Sequence, residues 1–245
     1  MEKGNLVTRA KYNHDIVFEI VQIINNIAIL KGQYVRLCAD ADISDLKLCE
    51  SFDAKQDELK FDFDRGMNLI NGCVLHIDGD EKYLNKCMEV YKKYGVPAQG
   101  YYMKEEKISE NITNLLIKHK PDVLIITGHD NCKLTSEGTE IFENSESFVK
   151  AVKRARVYQA DKDALVIFAG ACQSYYEALI ESGANFASSS SRKNINVLDP
   201  VYIAISVAKS HVGSYVDVEK ILKNVISKDC GLGGIDTRGV ARRLY

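Results

Sequence analysis

A chain of 245 residues, 46% of them hydrophobic, is long enough for one sizeable core or for one large and one small domain. Its 32 basic and 34 acidic side chains nearly cancel, and the isoelectric point is about 6.2. No positive field therefore draws it to nucleic acid, and no like-charged block marks a solvating tail. The longest apolar runs, such as VLII at 123–126 and LVIFA at 165–169, fall far short of a membrane span. The opening Met1-Glu2-Lys3-Gly4-Asn5 lacks the basic start and apolar core of a secretory signal, so a soluble cytoplasmic protein with no membrane partner is expected.

Seven cysteines (Cys38, Cys49, Cys73, Cys87, Cys132, Cys172 and Cys230) are irregularly spaced and include no CxxC pair. An odd number without a signal peptide predicts reduced thiols rather than a disulfide framework.

The first ~60 residues carry short β-branched runs at 7–9, 16–24 and 27–30, with Asn25-Asn26 as a tight turn and a further run at 34–37. This pattern predicts a small β-barrel, SH3-like, over residues 1–60. The charged stretch 53–65 serves as the connection. From about Asn71 the pattern changes. Strands are predicted at 73–77, 98–103, 123–127, 165–169 and 185–187, and helices at 83–94, 108–119, 145–158, 175–182 and 201–211. Gly95, Pro121 and Gly183 punctuate the helix ends, and Pro200 opens the last helix. Alternating strands and helices predict an α/β domain over 61–245, with a mostly parallel sheet flanked by helices.

In such sheets function gathers at the carboxyl ends of the strands. Three of these ends carry reactive groups: Asp78-Gly79-Asp80, Gly128-His129-Asp130 and Gly170-Ala171-Cys172. Cys172 lies at a predicted strand-to-helix turn, where backbone amides and the helix dipole favour thiolate. Its own amide can help hold an oxyanion. The bland alternative is a buried structural cysteine. His129, at the equivalent position of the preceding strand, is the natural base at neutral pH, and the pair points to a nucleophile with its base rather than to a surface histidine. Cys132 beside His129 raises a His/Cys metal site, but zinc normally takes three or four such ligands and no further one is suitably spaced, so no metal is expected. Asp78 and Asp80 read either as Mg²⁺ ligands of a phosphohydrolase with an aspartyl nucleophile or as a turn at a substrate pocket. The other strand ends offer a histidine and a cysteine instead of further acids and a lysine, which favours the turn.

The segments GNLVTR (4–9), VLHIDGDEKYL (74–84), KPDVLIITGHD (120–130), VIFAGACQSYYEALIESGANFASS (166–189) and NVLDPVYI (196–203) resemble the YabG family of sporulation-specific peptidases of spore-forming Firmicutes. The similarity runs over nearly the whole chain in order. It implies a cofactor-free cysteine endopeptidase in the cytoplasm of the sporulating cell or associated with the spore coat. Its implied substrates are spore coat and spore-assembly proteins, cut after arginine, with His129 and Cys172 as the catalytic pair. Caspase- and gingipain-like enzymes, where a histidine and a cysteine each follow an apolar strand, are similar in arrangement. There glycine usually follows the histidine and its amide completes the oxyanion hole; here Asp130 follows, and the amides of Gly128, Asp130 and Cys172 are the candidates. An arginine preference calls for a carboxylate in the pocket, with Asp78, Asp80, Asp130 and Asp199 as candidates and Asp199 and Asp78 preferred. Arg192, read as exposed, and Arg238, Arg242 and Arg243 are expected self-cleavage points. A non-catalytic spore-coat scaffold whose thiols cross-link is the remaining alternative.

Overall fold

In the N-terminal part, β1 (Leu6–Arg9), β2 (Phe18–Ile24), β3 (Ile27–Gly32), β4 (Cys38–Asp42) and β5 (Leu46–Leu48) form a five-stranded antiparallel sheet, ordered β4-β3-β2-β1-β5. Asn25 and Asn26 both take left-handed backbone angles, φ 46° and 71°, which let a two-residue turn match the twist of β2 and β3. Alternation decides the buried face: Phe18 and Ile20 of β2 join Ala28 and Leu30 of β3 and Val7 of β1 in one apolar cluster. The run at 34–37 is not a strand. The Leu37 amide bonds back to the Val35 carbonyl and the Gly32 amide to the Leu37 carbonyl, turning the chain before β4.

The computed structural model describes residues 1–49, 68–227 and 231–245. The expected connection at 53–65 and Cys230 lie outside these residues. The chain divides into two compact units, Met1–Glu58 and Leu59–Tyr245.

The second unit contains β6 (Leu69–Ile70), β7 (Val74–Asp78), α1 (Glu81–Lys93), β8 (Ala98–Tyr102), α2 (Glu105–His119) and β9 (Val123–Thr127). Next come β10 (Cys132–Leu134), β11 (Glu140–Phe142), α3 (Ser145–Tyr158), β12 (Val166–Ala169), α4 (Tyr176–Glu181) and β13 (Phe186–Ser188). The chain ends with α5 (Asp199–Lys209), α6 (Val218–Asn224), β14 (Leu232–Gly234) and β15 (Arg242–Arg243). Six strands make the main sheet in the order β14-β13-β12-β9-β7-β8, all parallel except β14. The chain is therefore α/β, with a mostly parallel sheet flanked by helices and an antiparallel sheet at its N-terminal end.

Every residue of β7, β9 and β12 is buried, as expected of central parallel strands covered on both faces. Ile108, Ile112 and Leu116 of α2 and Phe148, Ala151, Val152 and Ala155 of α3 pack in one cluster with Leu75, Leu124 and Ile167 of the sheet. Helix α5 packs against α1, with Tyr94 edge-on to Tyr202. From β7 the chain goes first to β8 on one side and then to β9 on the other. This reversal opens a crevice at the carboxyl ends of β7 and β9. Sequence periodicity misses the short β10–β11 hairpin, α6 and the Gly-rich β14. Among the described residues, six cysteines are free thiols and no helix is long and apolar enough to cross a membrane.

Candidate active site

His129 follows β9 through Gly128 and stands between two carboxylates. Its Nε2 is 3.6 Å from Asp80 Oδ2, and its Nδ1 is 3.7 Å from Glu105 Oε1. The Glu105 oxygen also accepts a 2.8 Å hydrogen bond from the His129 amide. Tyr83, on the first turn of α1, lies against the imidazole with ring centroids 5.8 Å apart. Asp80 does two jobs, since its other oxygen caps α1 by accepting from the Tyr83 amide.

Glu105 opens α2 directly after β8, and its carboxylate fills space that only glycine leaves. A Cβ on either Gly79 or Gly128 would collide with it. Burial pushes the Glu105 carboxyl up, but the His129 ring and amide outweigh this and hold it below the usual glutamate value. Sequence reading does not single out Glu105, which lies before the helix expected at 108–119. The signal that could have found it is its place at the carboxyl end of a fourth parallel strand.

Cys172 follows β12 in a tight turn, between Gly170 at φ 112° and Gln173 at φ 59°. Left-handed backbone at a glutamine is uncommon and gathers at functional sites. The thiol is buried, and Ile195 brackets it: the Ile195 amide donates to Sγ at 3.3 Å, and Sγ lies 3.7 Å from the Ile195 carbonyl. Ser174 braces the turn by accepting from the Ala171 amide at 2.9 Å and donating to Asp130 Oδ2 at 2.8 Å. Asp130 also accepts from the Asn131 and Asn144 amides and the Ser145 hydroxyl. Its side chain is thus the tie between the loops after β9 and β12. The two loops lie side by side because β9 and β12 are neighbours, with Ile126 paired to Ala169 at their ends.

The other expected acids are placed differently. Asp78 is fully buried, accepting from the Asp80 amide and the Thr127 hydroxyl. Asp199 is also fully buried at the start of α5, accepting from the amides of Asn196, Ile226 and Ser227. Neither faces solvent where a guanidinium could reach it. Arg192, expected to be exposed, has a side chain only 22% exposed and paired with two glutamates, whereas Arg242 and Arg243 are exposed. Among the described residues one grouping of three potential metal ligands occurs, His76, Asp78 and Cys87. His76 there bonds Tyr91 and Thr127, so the group reads as a polar core network, and it includes neither Cys132, His129 nor Cys172.

Burial pushes the Asp199 carboxyl up to about 6 from 3.8, despite hydrogen bonds that oppose it. With the folded value raised, the associated stability is fully present below about 3.8 and is lost as pH rises through about 6. The difference is on the order of 3 kcal/mol. Urea unfolding from pH 4 to 7 should show wild type losing stability relative to Asp199→Asn, which has no such charge to bury. Parallel pH curves for the two proteins would refute the assignment.

The fold and these strand ends define a class: α/β proteins whose reactive groups sit at the carboxyl edge of a parallel sheet. The chain belongs to the YabG peptidase U57 family, whose profile matches residues 2–69 and 64–245. It is 40% identical over 277 residues to the sporulation-specific protease YabG of Bacillus subtilis (strain 168), covering 98% of this chain and 96% of that protein. No solved structure matches. Proteolysis is accordingly the activity of the family, and proteins are its substrates.

Proposed function

We propose that the chain is a cysteine endopeptidase with Cys172 as nucleophile and His129 as general base and acid. The observation that carries this reading is the position of the two residues, one after each of the adjacent parallel strands β9 and β12. That is the disposition of the caspase- and gingipain-like enzymes, and we extend the likeness to this site. In the first half-reaction the Cys172 sulfur bonds to the peptide carbonyl carbon, and the C–N bond breaks as His129 passes a proton to the leaving amine. Water then attacks the thioester, giving a proton to His129 and releasing the acid and the thiolate. The amides of Cys172, Gly128 and Asp130 are the candidates for holding the oxyanion. Glu105 is a positioning residue that orients the imidazole and favours its protonated form.

Membership of a sporulation protease family supports a role in sporulation; we propose spore coat and spore-assembly proteins as the substrates, met in the cytoplasm of the sporulating cell or at the coat, with cleavage after arginine. We assign the N-terminal sheet to a small SH3-like domain that serves substrate docking.

The test is incubation of the purified chain and of Cys172→Ala with an arginine-containing peptide library, read by mass spectrometry. New termini after arginine with wild type alone are expected. Equal cleavage by both proteins would rule Cys172 out.

A further inference from the structure

Arg192 lies in the segment after β13, three residues before Ile195, the residue whose backbone brackets the Cys172 sulfur. Its Nη2 donates to Glu140 Oε2 at 3.2 Å and to Glu177 Oε2 at 2.8 Å. Its guanidinium lies over the rings of Phe142 and Tyr175, 5.3 and 5.5 Å from their centroids. Those rings are themselves stacked 4.8 Å apart with an interplanar angle of 5°. Two carboxylates and two aromatic faces around one cation match a planar guanidinium and suit an ammonium less well.

A surface ion pair usually does no more than decorate a loop. Three observations set this one apart. First, each catalytic loop supplies half of it: Glu140 and Phe142 come from β11 after His129, and Tyr175 and Glu177 follow Cys172. Tyr175 is three residues from Cys172, a backbone path of at most about 11 Å. Second, the glutamates remain open to solvent at 39% and 50% exposure, so an outside guanidinium can reach them. Beside the rings a cavity of about 300 Å³, walled partly by Val149 and Ala178, leaves room for neighbouring peptide. Third, Arg192 is held with left-handed backbone, φ 53°, and its segment lies across the thiol.

We infer that Glu140, Glu177, Phe142 and Tyr175 form the pocket for the substrate's arginine side chain, and that Arg192 fills this pocket from within the chain, keeping the 189–195 segment closed over Cys172. The inference rests on the reading of Cys172 as nucleophile. It deepens that reading by naming the specificity pocket and an internal competitor for it. The backbone hydrogen-bonded to the sulfur is that of Ile195, so Arg192 plugs the pocket while a different part of its segment covers the thiol. A substrate arginine must displace Arg192, and in doing so it uncovers the nucleophile.

The test follows alkylation of Cys172 by iodoacetamide, read by mass spectrometry on the full chain, and needs no peptidase activity. Arg192→Ala should raise the Cys172 rate about tenfold, the scale of one lost charge-assisted hydrogen bond. Added Nα-acetyl-arginine amide should likewise raise the wild-type rate by displacing Arg192 from the pocket, and the lysine analogue should not. Glu140→Gln/Glu177→Gln, which leaves the covering segment itself unaltered, should also speed alkylation and should abolish the response to the arginine amide. An unchanged rate in Arg192→Ala, or a response to the arginine amide that persists without the two glutamates, would overturn the inference. Arginine-specific acceleration with no peptide cut by any variant would instead remove the peptidase reading and leave the pocket standing.

Discussion

His129→Ala should lose about 10³-fold or more in kcat/KM on an arginyl peptide, Cys172→Ala at least as much, and the double variant no more than the worse single one. Residues that act in one proton-and-nucleophile relay are grossly non-additive, because removing either member leaves the other nothing to act with. The geometry predicts that coupling, since Asp130 and Ser174 bind the two loops to each other at neighbouring strand ends. His129→Ala should retain slightly more activity than Cys172→Ala, because a thiol is partly ionised and nucleophilic without a base. The check is kcat/KM for the three variants on one peptide, with thermal melts to confirm that each is folded. A double variant whose loss equals the product of the two single losses would mean that the residues act independently, and the dyad would fall.

The parallel sheet was legible because its central strands are continuous apolar runs, such as VLIIT at 123–127, bounded by glycine and helical periods. His129 and Cys172 were legible for the same reason: each is the first reactive group after such a run. What periodicity cannot convey is the direction of a side chain at a strand end. Asp78 ends β7 and looks available in sequence, yet it points into the interior to accept from Thr127. Asp199 is likewise turned inward, to satisfy the amides at 196, 226 and 227. The carboxylates that do face His129 and Arg192 sit where the pattern is weakest. Glu105 is masked as a helix-opening acid, and Glu140 lies on a three-residue strand of an isolated hairpin. Strands that short carry too few alternations to stand out from loop.

Glu105→Gln should lower kcat about 10²-fold with little change in KM, and it should displace the pH profile. Glutamine keeps the shape that fits between Gly79 and Gly128 and can still accept from the His129 amide, so loss of charge is the main change. The mechanism needs that charge. In the proposed mechanism it would stabilise the imidazolium formed when His129 takes the Cys172 proton and keep the ring oriented, the part a buried carboxylate plays in other nucleophile–histidine sites. Without the anion the neutral imidazole is favoured, so the limb of the profile governed by His129 should move to lower pH. Stability responds with its own sign. The Glu105 carboxyl lies below 4.5 when folded, so its contribution is present above about 4.5 and is lost on acidification through the folded value, and the variant lacks it. Asp80→Asn is the matched comparison. Asparagine still caps α1, so a smaller fall in kcat is expected from losing the carboxylate at the other ring nitrogen. A Glu105→Gln protein with wild-type kcat and an unmoved pH profile would show the carboxylate to be packing alone, and the imidazole would have to be oriented by Asp80.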